Sequence, residues 1–291
     1  MCDERTEQET QDYLRKRGVS RRGFGALMGA AGMAAFTARP AHAAEVVESD
    51  VMIETPDGVC DAYFVHPVEG ATAAVLVWPD IFGLRPAFRG MGKRLAEAGY
   101  AVLTVNPYYR GATAPVPGYD AAFGAPEFQD NVMPLAQALN PETQVTDATA
   151  FIAWLDAQDA VDTSRQIGTT GYCMGGPFVM RTAAAIPGRV GAGATFHGGG
   201  LATDAPDSPH LLIPQMEASF LIAIAENDDE SDPQAKETLR ETFAANGVNA
   251  EVEVYEGTMH GWCPTDSRVY HEEQAEHAWA RLLALFETAL A

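Results

Sequence analysis

The chain has 291 residues, 47% of them apolar and 20% charged, so it is long enough to bury a substantial globular core. Its 40 acidic residues outnumber its 19 basic residues, which gives a formal net charge of −21. A surface of this sign repels nucleic acids and anionic membrane surfaces, so neither is expected as a partner.

The first 43 residues have the order of an export signal. A polar stretch ends in Arg21 and Arg22, the apolar run 24–36 follows, and a small-residue pattern that signal peptidase accepts ends at Ala43. The arginine pair resembles a twin-arginine signal, which predicts export to the periplasm and cleavage after Ala43. The apolar run is shorter than the about 20 residues that span a bilayer, so we expect no stable membrane association after cleavage.

Residues 44–291 are predicted to form one domain, which we expect to be monomeric. Cleavage would remove 7 of the 19 basic and 5 of the 40 acidic residues, and would leave a net charge of −23. It would also remove Cys2 and leave Cys60, Cys173 and Cys263, so at least one thiol stays unpaired within the chain. The sequence leaves open a disulfide between Cys60 and Cys263.

Strand and helix patterns alternate along this domain. Two β-rich stretches flank the turn at 56–58 and predict an opening antiparallel hairpin. Continuous apolar runs at 73–79 and 101–107 predict strands buried on both faces, and helical spacing between them predicts a helix that stops at Gly99. A stretch rich in Pro and Gly over residues 111–134 predicts a long loop or lid.

The second half continues the alternation, which predicts an α/β fold: a mainly parallel central sheet with helices on both faces. The predicted strands lie at 165–170, 190–198, 220–225 and 250–257. The predicted helices lie at 146–158, after residue 173, at 234–246 and from about residue 269 onward.

Cys173 occupies a glycine-rich turn between a predicted strand and a predicted helix. Residues 171–175, GYCMG, have the spacing G-x-nucleophile-x-G, with Cys where Ser is usual. Glycines suit such a turn because side chains there would collide with neighbouring backbone, and a helix N-terminus stabilises a thiolate. This pattern predicts Cys173 as a nucleophile; the alternative is a small buried side chain without chemistry.

A cysteine nucleophile needs a base and an acid that orients the base, and proteins with this elbow have them in the order nucleophile, acid, histidine. His260, in a glycine-flanked loop after a strand, is the predicted base, and His197 at another strand end is the alternative. Asp228, three residues after the strand at 220–225, is the predicted acid. The Cys and His positions do not follow a structural zinc spacing, so we expect neither a metal nor another cofactor.

Three segments together resemble the dienelactone hydrolase family of α/β-hydrolases. GYCMGG is similar to the nucleophile elbow of that family, AENDD to its acid loop and YEGTMHGW to its histidine loop. The resemblance extends over nearly all of residues 44–291 and implies an α/β-hydrolase fold. It also implies hydrolysis of a small-molecule ester or lactone by a triad of Cys173, His260 and Asp228 through a thioester.

Two further segments have roles that the resemblance implies. WPDIFGLRP is similar to the loop after the third strand, where Asp80 stands in place of the usual Glu and would contact the resting thiol. The N–H groups of Ile81 and Met174 would then form the oxyanion hole. NPYYR is similar to the segment whose arginine holds the substrate carboxylate, which implies substrate binding by Arg110, with Tyr108 beside it.

Family enzymes that act on dienelactone carry a second arginine shortly after the histidine, and here none occurs before Arg268. Arg85, near the predicted oxyanion loop, is a candidate for that charge, and an ordinary surface role is the alternative. The sequence also leaves open a general exported carboxylesterase, a thiol redox or sensor protein that uses Cys173, and a non-catalytic binding module. The presence of all three of Cys173, Asp228 and His260 argues against the binding module, which has no need for them.

Overall fold

The structure is a computed structural model and describes residues 4–16 and 43–291. The first segment forms helix α1 (Glu4–Lys16). The arginine pair and the apolar run of the expected export signal lie outside the described residues. Within the described ranges, no helix combines the length and apolar character needed to cross a membrane.

An eight-stranded sheet forms the centre of the fold. Its strands in chain order are β1 (Val46–Thr55), β2 (Gly58–Pro67), β3 (Ala74–Trp78), β4 (Ala101–Val105), β5 (Ile167–Tyr172), β6 (Val190–Phe196), β7 (Ser219–Ala225) and β8 (Ala250–Tyr255). Their order across the sheet is β1-β2-β4-β3-β5-β6-β7-β8. β2 is antiparallel to both β1 and β4, and the other neighbours are parallel. The predicted hairpin and mainly parallel sheet are confirmed.

Helices cover both faces of this sheet. They are α2 (Pro86–Glu97), α3 (Pro126–Asn131), α4 (Met133–Gln137), α5 (Pro141–Asp156), α6 (Gly175–Ala185), α7 (Glu226–Ser231), α8 (Pro233–Ala245) and α9 (Glu272–Ala289), with a short 3₁₀ turn at Pro209–Gln215. On one face α5, α6 and α8 contribute Phe151, Phe178 and Phe243 to the core. On the other face α2 and α9 contribute Phe88 and Phe286. Burial from both sides explains why every residue of β3 and β4 is buried.

The sequence also marks where individual helices begin and end. Asn140 and Thr143 form a reciprocal capping box at the start of α5, which satisfies main-chain N–H groups that the helix itself leaves unpaired. α2 begins at Pro86 and ends shortly before Gly99, whose φ of 104° few other residues tolerate. The stop predicted at Gly99 is therefore confirmed.

Two predicted irregular segments are partly helical. The predicted loop over residues 111–134 contains α3, because Val116, Phe128 and Val132 pack with Tyr108 into a third apolar cluster that orders the chain. The acidic stretch after β7 is not a loop but the short helix α7. The last helix begins at Glu272 rather than near residue 269.

The parallel strands bring the candidate residues to one edge of the sheet. Parallel strands have their carboxyl ends on the same edge, which is where α/β proteins bind ligands. The segments that follow β3, β5, β6, β7 and β8 at this edge carry Asp80, Cys173, His197, Asp228 and His260, with Asp228 in the short helix α7.

Candidate active site

Cys173 lies in a tight turn between β5 and α6. Its φ of 52° is in the left-handed region, which is strained for a residue other than glycine. A Cβ atom at Gly171 would lie 2.2 Å from the carbonyl oxygen of Gly175, and one at Gly175 would lie 2.4 Å from that of Trp78. Backbone atoms at these distances cannot give way, so both positions require glycine.

Main-chain hydrogen bonds fix the position of Cys173 within the turn. Its N–H donates to the carbonyl of Phe196 at the end of β6 at 3.0 Å, and its carbonyl accepts from Gly176 N–H at 3.0 Å. The residue is 7% exposed. The turn therefore holds the thiol above the sheet with little contact with solvent.

His260 lies next to Asp228 and Cys173. Its Nδ1 is 2.8 Å and 3.0 Å from the two carboxylate oxygens of Asp228, and its ring also hydrogen-bonds to the Cys173 side chain. Its main-chain N–H donates to Oδ1 of Asn227 at 2.7 Å. The structure thus brings together the predicted nucleophile, base and acid. Hydrogen bonds to Asp228 and to Cys173 orient the imidazole between them.

Opposing effects determine the protonation of His260. Burial by itself lowers the pKa of this imidazole, but the Asp228 carboxylate and the Cys173 side chain act in the other direction, and the pKa lies well above the ordinary value of 6.5. A charged imidazolium is therefore stabilised near neutral pH.

His197, the alternative base, is completely buried beside His260. The two rings are 5.1 Å apart in an edge-to-face arrangement. Burial and the neighbouring His260 lower the pKa of His197 well below its ordinary value, so its ring is neutral. Within the described parts of the chain, neither of its ring nitrogens has a hydrogen-bond partner. The hydrogen bond to Asp228 therefore belongs to His260.

The loop after β3 lies against the elbow, as expected for the two predicted oxyanion donors. The Tyr108 hydroxyl donates to the carbonyl of Ile81 at 2.6 Å and lies 3.4 Å from Sδ of Met174. The N–H groups of Ile81 and Met174 take no part in the main-chain hydrogen bonds of the described turns and loops. Tyr108, 2% exposed, thus links the two segments that carry these N–H groups.

Asp80 and Arg85 form a buried ion pair in this loop. Arg85 bonds to both carboxylate oxygens of Asp80, at 2.7 Å and 3.0 Å, and Oδ1 of Asp80 also accepts the N–H of Phe82 at 2.9 Å. Arg85 is 4% exposed, so the alternative of an ordinary surface role is wrong. The contact between Asp80 and the resting thiol stays a prediction.

Arg110 is held by two carboxylates. It bonds to Asp57 in the β1–β2 turn, at 2.6 Å and 3.1 Å, and to Asp147 in α5, at 2.7 Å and 2.8 Å. Asp147 is almost fully buried and also accepts the Tyr109 hydroxyl. A substrate carboxylate would have to compete with these partners, and the substrate-binding roles of Arg110 and Tyr108 stay predictions.

The other two described cysteines, Cys60 and Cys263, are free thiols. Burial raises the pKa of both thiols, which keeps them protonated and unreactive. Cys263 lines a cavity of about 60 Å³ between α2 and α9. Over the described ranges, no cluster of three or more His, Cys, Asp or Glu side chains is arranged to hold a metal ion.

Two contacts of the site were missed in the sequence. Asn227 precedes the predicted acid, and its Nδ2 donates to the carboxylate of Glu9 in α1 at 2.9 Å while its Oδ1 binds His260. Asp266 binds the far side of Arg85. Glu9 is 218 residues from Asn227, and Asp266 is 181 residues from Arg85, so no local pattern could have revealed either contact.

Comparisons with known proteins identify the family of the chain. The sequence profile of the dienelactone hydrolase family matches residues 60–290. A Synechocystis sp. protein provisionally named as a carboxymethylenebutenolidase is 28% identical over 78% of this chain and 91% of its own. The carboxymethylenebutenolidase of Rhodococcus opacus is 25% identical over 76% of this chain and 83% of its own.

A solved Klebsiella pneumoniae structure, provisionally assigned as a dienelactone hydrolase, has the same fold. Its TM-score is 0.71 at 23% identity, and the match covers 84% of this chain and 99% of that one. The family profile covers most of the chain, so the protein belongs to the dienelactone hydrolase family. It is a hydrolase of ester or lactone bonds with the α/β-hydrolase fold.

Replacing Asp228 by Asn is expected to lower the pKa of His260, because a neutral amide cannot offset the burial of the imidazolium. NMR titration of labelled histidine measures this change, and Glu230→Gln, at an exposed carboxylate of the same helix, is the control. An unchanged His260 titration in Asp228→Asn would contradict the assignment.

The effect of Asp228→Asn on the free energy of unfolding should also depend on pH. The folded-state pKa of His260 is raised, so its stabilising contribution is complete below the unfolded value of about 6.5 and is lost as pH rises through the folded value. The difference in unfolding free energy between wild type and Asp228→Asn should therefore be larger at pH 6 than at alkaline pH.

Proposed function

We propose that the protein hydrolyses an ester or lactone through a thioester on Cys173. The observation that carries this proposal is the placement of His260, which bonds to both Asp228 and Cys173 at the elbow. A histidine between a thiol and a carboxylate is the arrangement that activates a nucleophile and holds the imidazole in one orientation.

In the proposed reaction, the proton of Cys173 passes to His260, and the resulting thiolate attacks the carbonyl carbon. The N–H groups of Ile81 and Met174 stabilise the oxyanion, and loss of one such donor typically costs about 10²–10³ in rate. His260 then protonates the leaving oxygen, the thioester forms, and His260 activates the water that hydrolyses it. No step of this scheme uses a metal or an organic cofactor.

The chemistry of a thioester favours certain substrates. A thiolate leaves more readily than an alkoxide, so the acyl-enzyme returns to substrate whenever the released alcohol stays nearby. An activated lactone avoids this reversal if its ring opens to a poor nucleophile. We therefore propose activated lactones of the dienelactone type as substrates.

A neutral ester is the second candidate substrate, and the surroundings of Arg110 favour it. This guanidinium is already paired with Asp57 and Asp147, which reduces the positive charge available to a substrate carboxylate. An exported carboxylesterase would use the same cysteine, and only the substrate profile separates the two candidates.

Hydrolysis of a panel from aryl acetates to dienelactones tests the reaction. Cys173→Ala is expected to lose activity by about 10⁴-fold or more, as enzymes do without their nucleophile, whereas Cys60→Ala should keep it. Mass spectrometry should find the acyl group on Cys173 in wild type. Unchanged activity in Cys173→Ala would refute the proposal, and comparable turnover of simple alkyl esters with none of dienelactone would favour the carboxylesterase.

Arg110→Met tests the carboxylate site. If Arg110 binds the substrate carboxylate, KM should rise by about 10-fold or more for a lactone that carries one, as expected from loss of a charged hydrogen bond. KM for a neutral ester should stay unchanged. If Arg110→Met has the wild-type KM for each of the two substrates, Arg110 serves only the ion pairs with Asp57 and Asp147.

We also propose that the chain is exported through the twin-arginine pathway and is a monomer in the periplasm. Replacing Arg21 and Arg22 by Lys should retain the uncleaved protein in the cytoplasm, and N-terminal sequencing of the exported wild type should begin at Ala44. Normal export of the double variant would contradict the assignment of the signal.

A further inference from the structure

One buried guanidinium connects two loops of the candidate site. Its carbon lies 5.6 Å from the ring centre of Phe82 and 4.9 Å from that of Phe88. Arg85 bonds to Asp80 as described, and its Nε and Nη2 bond to Asp266 at 2.7 Å and 2.9 Å. Arg85 is therefore paired with two carboxylates at once, each in the bidentate geometry that gives the strongest ion pairs.

These two carboxylates belong to different parts of the site. Asp80 lies in the loop after β3, and the next residue, Ile81, is a proposed oxyanion donor. Asp266 lies six residues after His260, in the loop between β8 and α9. Arg85 and Asp266 are 181 residues apart in sequence. The guanidinium thus ties the loop of one proposed catalytic group to the loop of another.

This link depends on the positive charge of Arg85. Burial raises the pKa of the Asp80 carboxyl, and the positive charge of Arg85 opposes that change. Without Arg85, the buried carboxylate would be uncompensated and would take up a proton or move toward solvent. Asp80 Oδ1 also accepts the N–H of Phe82, so a movement of this carboxylate would turn the adjacent peptide groups.

We infer that Arg85 is a positioning residue: through Asp80 and Asp266 it holds the Ile81 N–H in register with His260 for stabilisation of the oxyanion. The inference rests on the proposed function. The bonds of His260 to Asp228 and Asn227 do not involve Arg85. Loss of Arg85 should therefore impair the oxyanion loop and leave the thiol and its base in place.

Two reactions of Cys173 separate these effects in Arg85→Met, which keeps an unbranched side chain between the two Phe rings. With 4-nitrophenyl acetate the thiolate adds to the carbonyl, the oxyanion forms, and 4-nitrophenolate leaves as the thioester forms. With iodoacetamide the thiolate displaces iodide, and no oxyanion forms. We expect the acylation burst to slow by about 100-fold, as misplaced groups do, while the ester concentration at half-maximal burst rate stays unchanged and the rate of alkylation changes far less.

Arg89→Met is the matched control. Arg89 lies in α2, which begins directly after Arg85, but it pairs with the exposed Asp50 and is itself more than one-third exposed. Both reactions should keep their wild-type rates in this variant. Asp266→Asn is the milder test, since its side chain is 32% exposed, and it should show the same split with a smaller loss. It carries the test if thermal unfolding shows that Arg85→Met does not fold.

A wild-type burst in Arg85→Met and Asp266→Asn would overturn the inference. A parallel loss of acylation and alkylation would also overturn it, in favour of a role in the fold as a whole. Failure of the proposed function has a different signature, because Cys173→Ala would then hydrolyse the ester at the wild-type rate.

Discussion

The close approach of α6 to the end of β3 is the constraint on which the site depends. Gly175 lies so near the carbonyl of Trp78 that no side chain fits between them. This contact places the elbow and the loop after β3 side by side, so the thiol of Cys173 and the N–H groups of Ile81 and Met174 share one edge of the sheet. The parallel strands then bring Asp228 and His260 to the same edge.

The most deeply buried charges of the site, on His260, Asp80 and Arg85, are each balanced by a partner. Burial disfavours the imidazolium of His260, and Asp228 compensates for it. Burial equally disfavours the carboxylate of Asp80, and Arg85 compensates for that. Among the described residues, His197 has no carboxylate partner, and it is neutral. A protein interior tolerates charge only on these terms, so removal of one member of a buried pair leaves the other as an uncompensated charge.

Local patterns revealed much of this arrangement. The turn residues and apolar runs predicted the hairpin and the buried strands, and glycine spacing with chain order selected Cys173, Asp228 and His260 as candidates. Local patterns could not reveal the burial of Arg85, because a charged residue is predicted to lie on the surface unless its buried partners are known. One of those partners, Asp266, is distant in sequence, and its approach depends on the packing of the whole sheet.

The depth of Arg85 also determines how the site responds to ionic strength. Exposed pairs such as Lys93 with Glu48 and Arg94 with Glu276 weaken as salt increases, because dissolved ions screen exposed charges. A guanidinium enclosed by Phe82, Phe88 and two carboxylates is largely out of their reach. Salt therefore screens the repulsion among acidic groups on the surface, while the bonds between the two loops keep their strength. The proposed catalytic geometry should then depend little on the ionic strength of the surroundings.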